Sequence, residues 1–253
     1  MVGHHRTVLL RDVDLELRRG EFLGIVGPNG AGKSSLLMAL LGFRSVLGGS
    51  AELLGRNLRG LGRGEWAALR KRIGYLPQRA QVDPYFPVTA GEVVLMGRVG
   101  HAGFLRSLSG ADRRKAASAL EALGVDSFQD RPFGHLSGGE QQKIHLARIL
   151  AQEPEMIFLD EPMAGLDLKW QERLGSLIAN IARERGVGIV IVTHELQHLP
   201  PACNRVALLR RGRVLAAGDR RDVLTEELLS DLYECRVRRI VEDGRTYLSP
   251  WVQ

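Results

Sequence analysis

Gly27-Pro28-Asn29-Gly30-Ala31-Gly32-Lys33-Ser34 decides the fold. It follows the apolar run Glu21-Phe22-Leu23-Gly24-Ile25-Val26 and leads into Ser35-Leu36-Leu37-Met38-Ala39-Leu40-Leu41. The order is strand, glycine loop, helix, with the G-x-x-x-x-G-K-[ST] spacing of a phosphate-binding loop. Glycines let the backbone wrap closely enough for several N–H groups to face one anion. The new helix adds the positive end of its dipole. Lys33 supplies a point charge for β- and γ-phosphates, and the Ser34 hydroxyl can ligate Mg²⁺, with Ser35 next on the same turn. A glycine-rich turn that happens to precede a helix is the plainer account. The correct flanking elements argue against it.

Working outward, the 253 residues are 44% hydrophobic and 25% charged, which fits one large α/β domain or a domain carrying an inserted lobe. Two cysteines, Cys203 and Cys235, are too few for a disulfide framework and point to a reducing compartment. No apolar run approaches the roughly 20 residues of a membrane helix, and no signal peptide opens the chain. The net charge of +6 is compatible with nucleic acid, an anionic membrane leaflet or a nucleotide. The basic residues are scattered and aromatics are only 6%, which argues against a nucleic-acid platform.

Upstream of the loop, Val13-Asp14-Leu15-Glu16-Leu17 alternates as a half-exposed strand would. Downstream, the pattern predicts a short strand and turn over 48–57, a helix over 65–72 and a strand Ile73-Gly74-Tyr75-Leu76-Pro77 with Gln78 at its end. Pro84 and Pro87 break the pattern. Residues 89–152 read as helical: Thr89 with Glu92 forms a capping box, 112–123 has helical spacing, and a third helix spans 140–152. Strand signals resume at 156–159 and 187–192 around a helix over 168–185. Their continuous apolar character suits a parallel sheet covered on both faces. A hairpin over 205–216, a helix over 226–233 and a hairpin turning at Asp243-Gly244 complete the chain. The expected organisation is an α/β phosphate-loop core (1–81 and 153–225, with an antiparallel β part), an inserted all-α lobe (82–152) and a C-terminal tail (226–253).

Met156-Ile157-Phe158-Leu159-Asp160-Glu161 is a buried strand ending in two acids. Asp160 can hold Mg²⁺ beside Ser34, and Glu161, aimed differently, can orient or deprotonate a water. His194 ends the next apolar strand. In a parallel sheet Gly27, Asp160 and His194 share the carboxyl edge, where ligands bind in open α/β folds. A charged strand end, or an incidental histidine, is the bland alternative. Leu136-Ser137-Gly138-Gly139-Glu140 is a second glycine-rich turn opening a helix. It has no Lys, so it could cradle phosphate only with N–H groups and the Ser137 hydroxyl, or it is simply a capped helix start.

Taken together, Gly27–Ser34, Gln78, Leu136–Glu140, Met156–Glu161, Ala164-Gly165-Leu166-Asp167 and His194 occur in the order of the motifs of ATP-binding-cassette (ABC) ATPases. They resemble that family's Walker A, Q-loop, signature, Walker B, D-loop and H-loop, over nearly the whole chain. The resemblance implies ATP and Mg²⁺ as ligands and a head-to-tail homodimer. Each ATP would lie between Lys33 of one copy and Ser137, Gly138, Gly139 and Glu140 of the other. Glu161 would be the base, His194 would contact the γ-phosphate, and Ser34, Asp160 and Gln78 would surround the metal. Gln78 would also couple lobe to core, and Asp167 would communicate across the interface. His4 falls where the family stacks adenine on an aromatic ring. The family usually has a further strand upstream of that point, and its signature turn more often ends in Gln than in Glu140.

Most single-cassette chains of this size serve importers, acting peripherally on the cytoplasmic face of the inner membrane with integral-membrane permease subunits and, indirectly, an extracytoplasmic solute-binding protein. Glu92-Val93-Val94-Leu95-Met96-Gly97-Arg98, with Gly100-His101 and Phe104-Leu105-Arg106, resembles the lobe of zinc/manganese importer ATPases; siderophore, haem and cobalamin systems are similar there. Rival readings are a soluble ABC ATPase, a regulatory nucleotide-binding module without turnover, and an exporter cassette.

Overall fold

The computed structural model describes residues 2–4, 7–18, 20–78, 87–103 and 107–250, apart from the side chains of His4, Thr7, Val8 and Pro250. Its centre is a six-stranded sheet. The phosphate-loop strand Phe22–Val26 lies between Gly188–Thr193 and Arg205–Arg210, and Met156–Asp160 and then Ile73–Leu76 extend the Gly188–Thr193 side. These five run parallel, and Arg213–Asp219 closes the other edge antiparallel to Arg205–Arg210.

The continuous apolar runs are explained by what covers each face. Along Phe22–Val26, Leu23 and Ile25 join one buried cluster while Phe22 and Val26 join the other. Ile189 and Ile191 alternate in the same way with Val190 and Val192, and Ile157 and Leu159 with Met156 and Phe158. The period-two geometry of a strand is present, but both faces are dry, so no polar residue marks it. Helix Lys33–Leu40 covers one face; helix Leu168–Arg185, the C-terminal helix Glu226–Tyr233 and the helical lobe share the other.

The lobe is set by three capped helices. Ala90–Leu95 begins at Thr89, Gly110–Ala122 at Ser109 and Gly138–Ala151 at Ser137, and each cap residue is paired with a carboxylate three positions on. Each such box satisfies two end N–H groups and contributes about 1 kcal/mol. The helix expected from Asp112 therefore starts earlier: Asp112 is the third helical residue, taking the place of the usual Glu or Gln. Phe133, Ile144 and Leu120 are fully enclosed, in a cluster continuous with the sheet through Ile149 and Leu76.

Secondary structure departs from expectation in three places. Val13–Leu17 is not a strand, although Val13, Leu15 and Leu17 lean on buried side chains while Asp14 and Glu16 face solvent. Alternation reports one-sided burial, and here that burial comes without a hydrogen-bonded strand partner among the described residues. Upstream, Val2–His4 and Thr7–Leu10 form a three-stranded sheet with Ser45–Val46, a pairing too short to leave a pattern. The 48–57 stretch is a hairpin of Glu52–Leu53 with Arg56–Asn57. Pro84 and Phe104–Arg106 lie outside the described residues.

One buried group gives the lobe a pH dependence. His145, 7% exposed, stands edge-on to Phe133 with ring centroids 5.1 Å apart, and neither ring nitrogen has a partner among the described residues. Burial, aided by the charge of Arg148, holds its pKa down to about 4. The neutral ring is therefore favoured in the folded state. Its contribution is intact above the unfolded value of 6.5 and is lost as pH falls toward 4. Urea unfolding at pH 7 and pH 5 should show this group costing the native protein about 2 kcal/mol, which His145→Leu does not lose. Equal acid sensitivity in the two proteins would contradict the assignment.

Candidate active site

The loop 27–34 leaves the carboxyl end of Phe22–Val26 and is walled by the rest of the fold. A Cβ on Gly27 would lie 2.1 Å from the Leu209 carbonyl, and one on Gly32, at φ +104°, would lie 2.6 Å from Leu10. Ala31 accepts a hydrogen bond from Gly212 N at 2.9 Å, so the turn of the edge hairpin backs the loop. Pro28 accepts from Ala31 N at 3.1 Å, while Asn29 and Gly30 form the exposed tip. Gly32 caps the helix without any side-chain bond, which leaves first-turn N–H groups open beside Ser34 and Ser35.

Lys33 is 6% exposed, and its ammonium donates to the carbonyls of Gly27 (2.7 Å) and Pro28 (3.0 Å). Burial lowers its pKa, opposed by the nearby charges of Glu161 and Asp160. Two bonds hold the charge at the mouth of its own loop.

The neighbouring strands bring the acids to the same edge. The register pairs Val26 with Thr193 and Asp160 with Val192, so Gly27, His194 and Glu161 lie side by side, with Gln78 beyond, two residues past the end of Ile73–Leu76. Asp160 is 4% exposed, and burial raises its pKa against the opposing effect of a Ser34 hydroxyl bond. Its Oδ1 has no partner among the described residues. A hydroxyl and a buried carboxylate oxygen with an unused lone pair form a hard-oxygen set of the kind Mg²⁺ takes. These residues fit that ion.

Glu161 adopts a left-handed φ of 47°, which turns its side chain away from that of Asp160, and its N–H is held by the Val192 carbonyl at 2.8 Å. The strain is accepted where the chain must leave the sheet sharply. Gln78 Nε2 donates to Glu161 Oε2 at 2.8 Å, and His194 Nδ1 lies 2.9 Å from Oε1. A carboxylate only accepts, so the ring carries a proton on Nδ1 and presents Nε2 outward, 3.5 Å from Glu195. Glu161 is thereby clamped from two sides at a carboxylate that is 8% exposed.

The other predicted residues stand apart from this group. Ser137 caps its own helix, donating its hydroxyl and N–H to Glu140 Oε2, each at 2.8 Å. Glu140 also faces Arg131 at 3.6 Å, and the Ser137 bonds lower its pKa. The carboxylate is thus turned back on the helix start and partly offset. Gly138 is exposed, whereas Gly139 is buried with its backbone against the Trp170 ring. Asp167 is exposed and caps helix Leu168–Arg185 by accepting from Trp170 N at 2.9 Å. His4 belongs to strand Val2–His4, but its side chain lies outside the described residues.

Two contributors were missed in the sequence reading. Gly212 supports the loop, and Tyr233 donates its hydroxyl to the His194 carbonyl at 3.0 Å. Both are tertiary contacts between distant segments and leave no local pattern.

The profile of the ABC transporter family matches residues 10–164, and the chain belongs to that family: it is an ABC-type ATPase that binds ATP. It is 36% identical over 236 residues to the manganese transport system ATP-binding protein MntB of Bacillus subtilis, covering 93% of this chain and 90% of that one. It is 44% identical over 227 residues to the hemin import ATP-binding protein HmuV of Rhodococcus jostii, with coverage of 89% and 74%. Among solved structures, it is similar to a metal-chelate-type ABC transporter in an inward-facing conformation (TM-score 0.82, 29% identity, covering 96% of this chain and 91% of that one). It also resembles a dimeric ATP-binding cassette in a post-hydrolysis state with ADP and phosphate (TM-score 0.71, 30% identity, coverage 83% and 90%).

Proposed function

We propose that this chain is the ATP-hydrolysing subunit of an importer for a transition metal, manganese or zinc, acting as a homodimer on the cytoplasmic face of a separate membrane permease. The reading rests chiefly on the clamped Gln78–Glu161–His194 trio beside Lys33. Among the described residues no helix is long and apolar enough to cross a membrane.

In the hydrolytic step Lys33 exchanges the carbonyls of its own loop for β- and γ-phosphate oxygens, and the open N–H groups of the first helical turn neutralise further charge. Glu161, aimed by its two partners, takes a proton from the attacking water as that oxygen bonds to the γ-phosphorus and the bond to the β-phosphate oxygen breaks. With its Nδ1 proton committed to Glu161, His194 presents the Nε2 lone pair, which accepts a hydrogen bond from the attacking water. Ser34 and Asp160, with Gln78 at hand, would hold Mg²⁺, which would supply charge neutralisation to the phosphates when bound.

The second half of each site comes from the twin copy: Ser137, Gly138, Gly139 and Glu140 present a helix start, and Asp167 lies at the joint. This supplies the anion-binding helix end that the Lys33 loop lacks on its open side. Leu168, 82% exposed beside Asp167, is an apolar side chain that such a joint would cover. ATP favours the closed pair and its hydrolysis products the open one, so the cycle drives the permease by differential binding. Residues 82–152 act as the lever, 1–81 and 153–225 as the catalytic body.

A second cargo, hemin or another metal chelate, is favoured by the 44% identity to a hemin importer subunit. Purification of the tagged chain from gently solubilised membranes should recover a multi-spanning permease, and a deletion strain should lose uptake of labelled manganese or zinc. Loss of hemin uptake alone would transfer the assignment to the chelate group. Intact uptake of all three would remove the importer reading.

A further inference from the structure

We propose that the C-terminal helix Glu226–Tyr233 is a positioning arm for His194, acting through the Tyr233 hydroxyl; the inference rests on the reading of His194 as a participant in hydrolysis. His194 sits where its strand has run out. The ladders on either side pair Val26 with Thr193 and Val192 with Asp160, so His194 lies one residue beyond the last rung and, among the described residues, its carbonyl has no sheet neighbour to bond. The Tyr233 hydroxyl fills that role at 3.0 Å. Across His194, Thr193 Oγ1 accepts from Glu195 N at 3.1 Å and donates to Glu195 O at 3.2 Å, fixing the turn. The imidazole is therefore oriented at its ring by Glu161 and at its backbone by a residue 39 positions away.

The arm is anchored for this purpose. Leu229 and Leu232 are buried in the main core. Arg210 Nη1 donates to the Asp231 carbonyl and carboxylate at 2.5 Å, and Arg211 pairs with Glu234 at 2.7 Å. Arg210 and Arg211 belong to the hairpin whose Gly212 supports the phosphate loop. The tail thus spans from the wall of the loop to the histidine on the far side of the same strand, and a shift of the tail moves one relative to the other. Burial pushes the Tyr233 phenol up to about 12, so it remains a donor at every working pH.

A hydrogen bond that aims a catalytic group without touching the ligand affects the chemical step and leaves binding unchanged. In steady-state ATPase assays of the full chain, Tyr233→Phe should lower kcat about five-fold with KM unchanged, because the ring packing survives and only the hydroxyl goes. His194→Ala should lose more, and the double variant should match His194→Ala alone, since the second loss acts through the first. The His194 side-chain NMR resonances should also move in Tyr233→Phe, a readout independent of turnover and of any small stability change. Full turnover by His194→Ala would overturn the underlying role of the histidine. With that role intact, unaltered kcat in Tyr233→Phe, a change confined to KM, a multiplicative double variant or unmoved resonances would each overturn the arm.

Discussion

Glu161→Gln is expected to reduce the ATPase rate by about 100-fold or more while ATP still binds. The substitution keeps the size of the side chain and both of its anchors. An amide oxygen can accept from Gln78 as Oε2 does now, and the amide nitrogen then faces His194, whose ring answers by moving its proton from Nδ1 to Nε2. The backbone, held at φ 47° by the Val192 carbonyl, has no reason to move. What disappears is the ability to accept a proton from water. Lys33 and the helix start, not Glu161, make the bonds to phosphate, so titration calorimetry should return an affinity within a few-fold of the native protein, shifted only by the loss of one nearby negative charge. With turnover blocked, ATP should hold two copies together, and gel filtration with Mg·ATP should show a dimer that ADP does not produce. A variant that turns over at the native rate would remove Glu161 from the chemistry and leave it a structural clamp for Gln78 and His194.

The same geometry explains which parts of the protein could be read without coordinates. The motif 27–34 carries its own flanks, so strand, loop and helix are encoded within some 20 contiguous residues, and the helix over 168–185 and the tail helix over 226–233 declare themselves by caps and periodicity. The parallel sheet was legible because runs buried on both faces contain no polar interruption. From parallelism alone followed the shared edge of Gly27, Asp160 and His194, and register places them there. What stayed hidden depends on distant pairs. The Val13–Leu17 alternation has the form of a strand, yet a ladder needs a partner that local sequence cannot announce. The role of Tyr233 requires that a helix near the end of the chain pack against the terminus of an internal strand. The orientation of Glu140 was open for a different reason: sequence shows the carboxylate and the capping Ser137, but the further ion pair with Arg131 arises from the lobe's folding.

Lys33→Ala should weaken ATP affinity by about 100-fold or more, the scale of losing two charge-assisted hydrogen bonds in a protected site. The site makes the loss worse than removal of an exposed charge. Lys33 is 6% exposed, and its ammonium covers the carbonyls of Gly27 and Pro28. Without it those oxygens, together with Asp160 and Glu161 across the edge, confront a triphosphate with like charge. Lys33→Arg should not rescue binding, because the larger planar guanidinium does not match the buried place that the ammonium takes against the Gly27 and Pro28 carbonyls. Comparing ATP with ADP refines the test: if Lys33 bridges β- and γ-phosphates, the alanine variant should lose more affinity for ATP than for ADP, and the preference of the native protein for the triphosphate should shrink. Thermal melting should show the fold retained, since the helix that begins at Lys33 is held by Leu36, Leu37 and Ala39 in the core. Tight ATP binding by a folded Lys33→Ala protein would mean that the loop's amides and helix end do the work alone, and that Lys33 serves only to tie its own loop together.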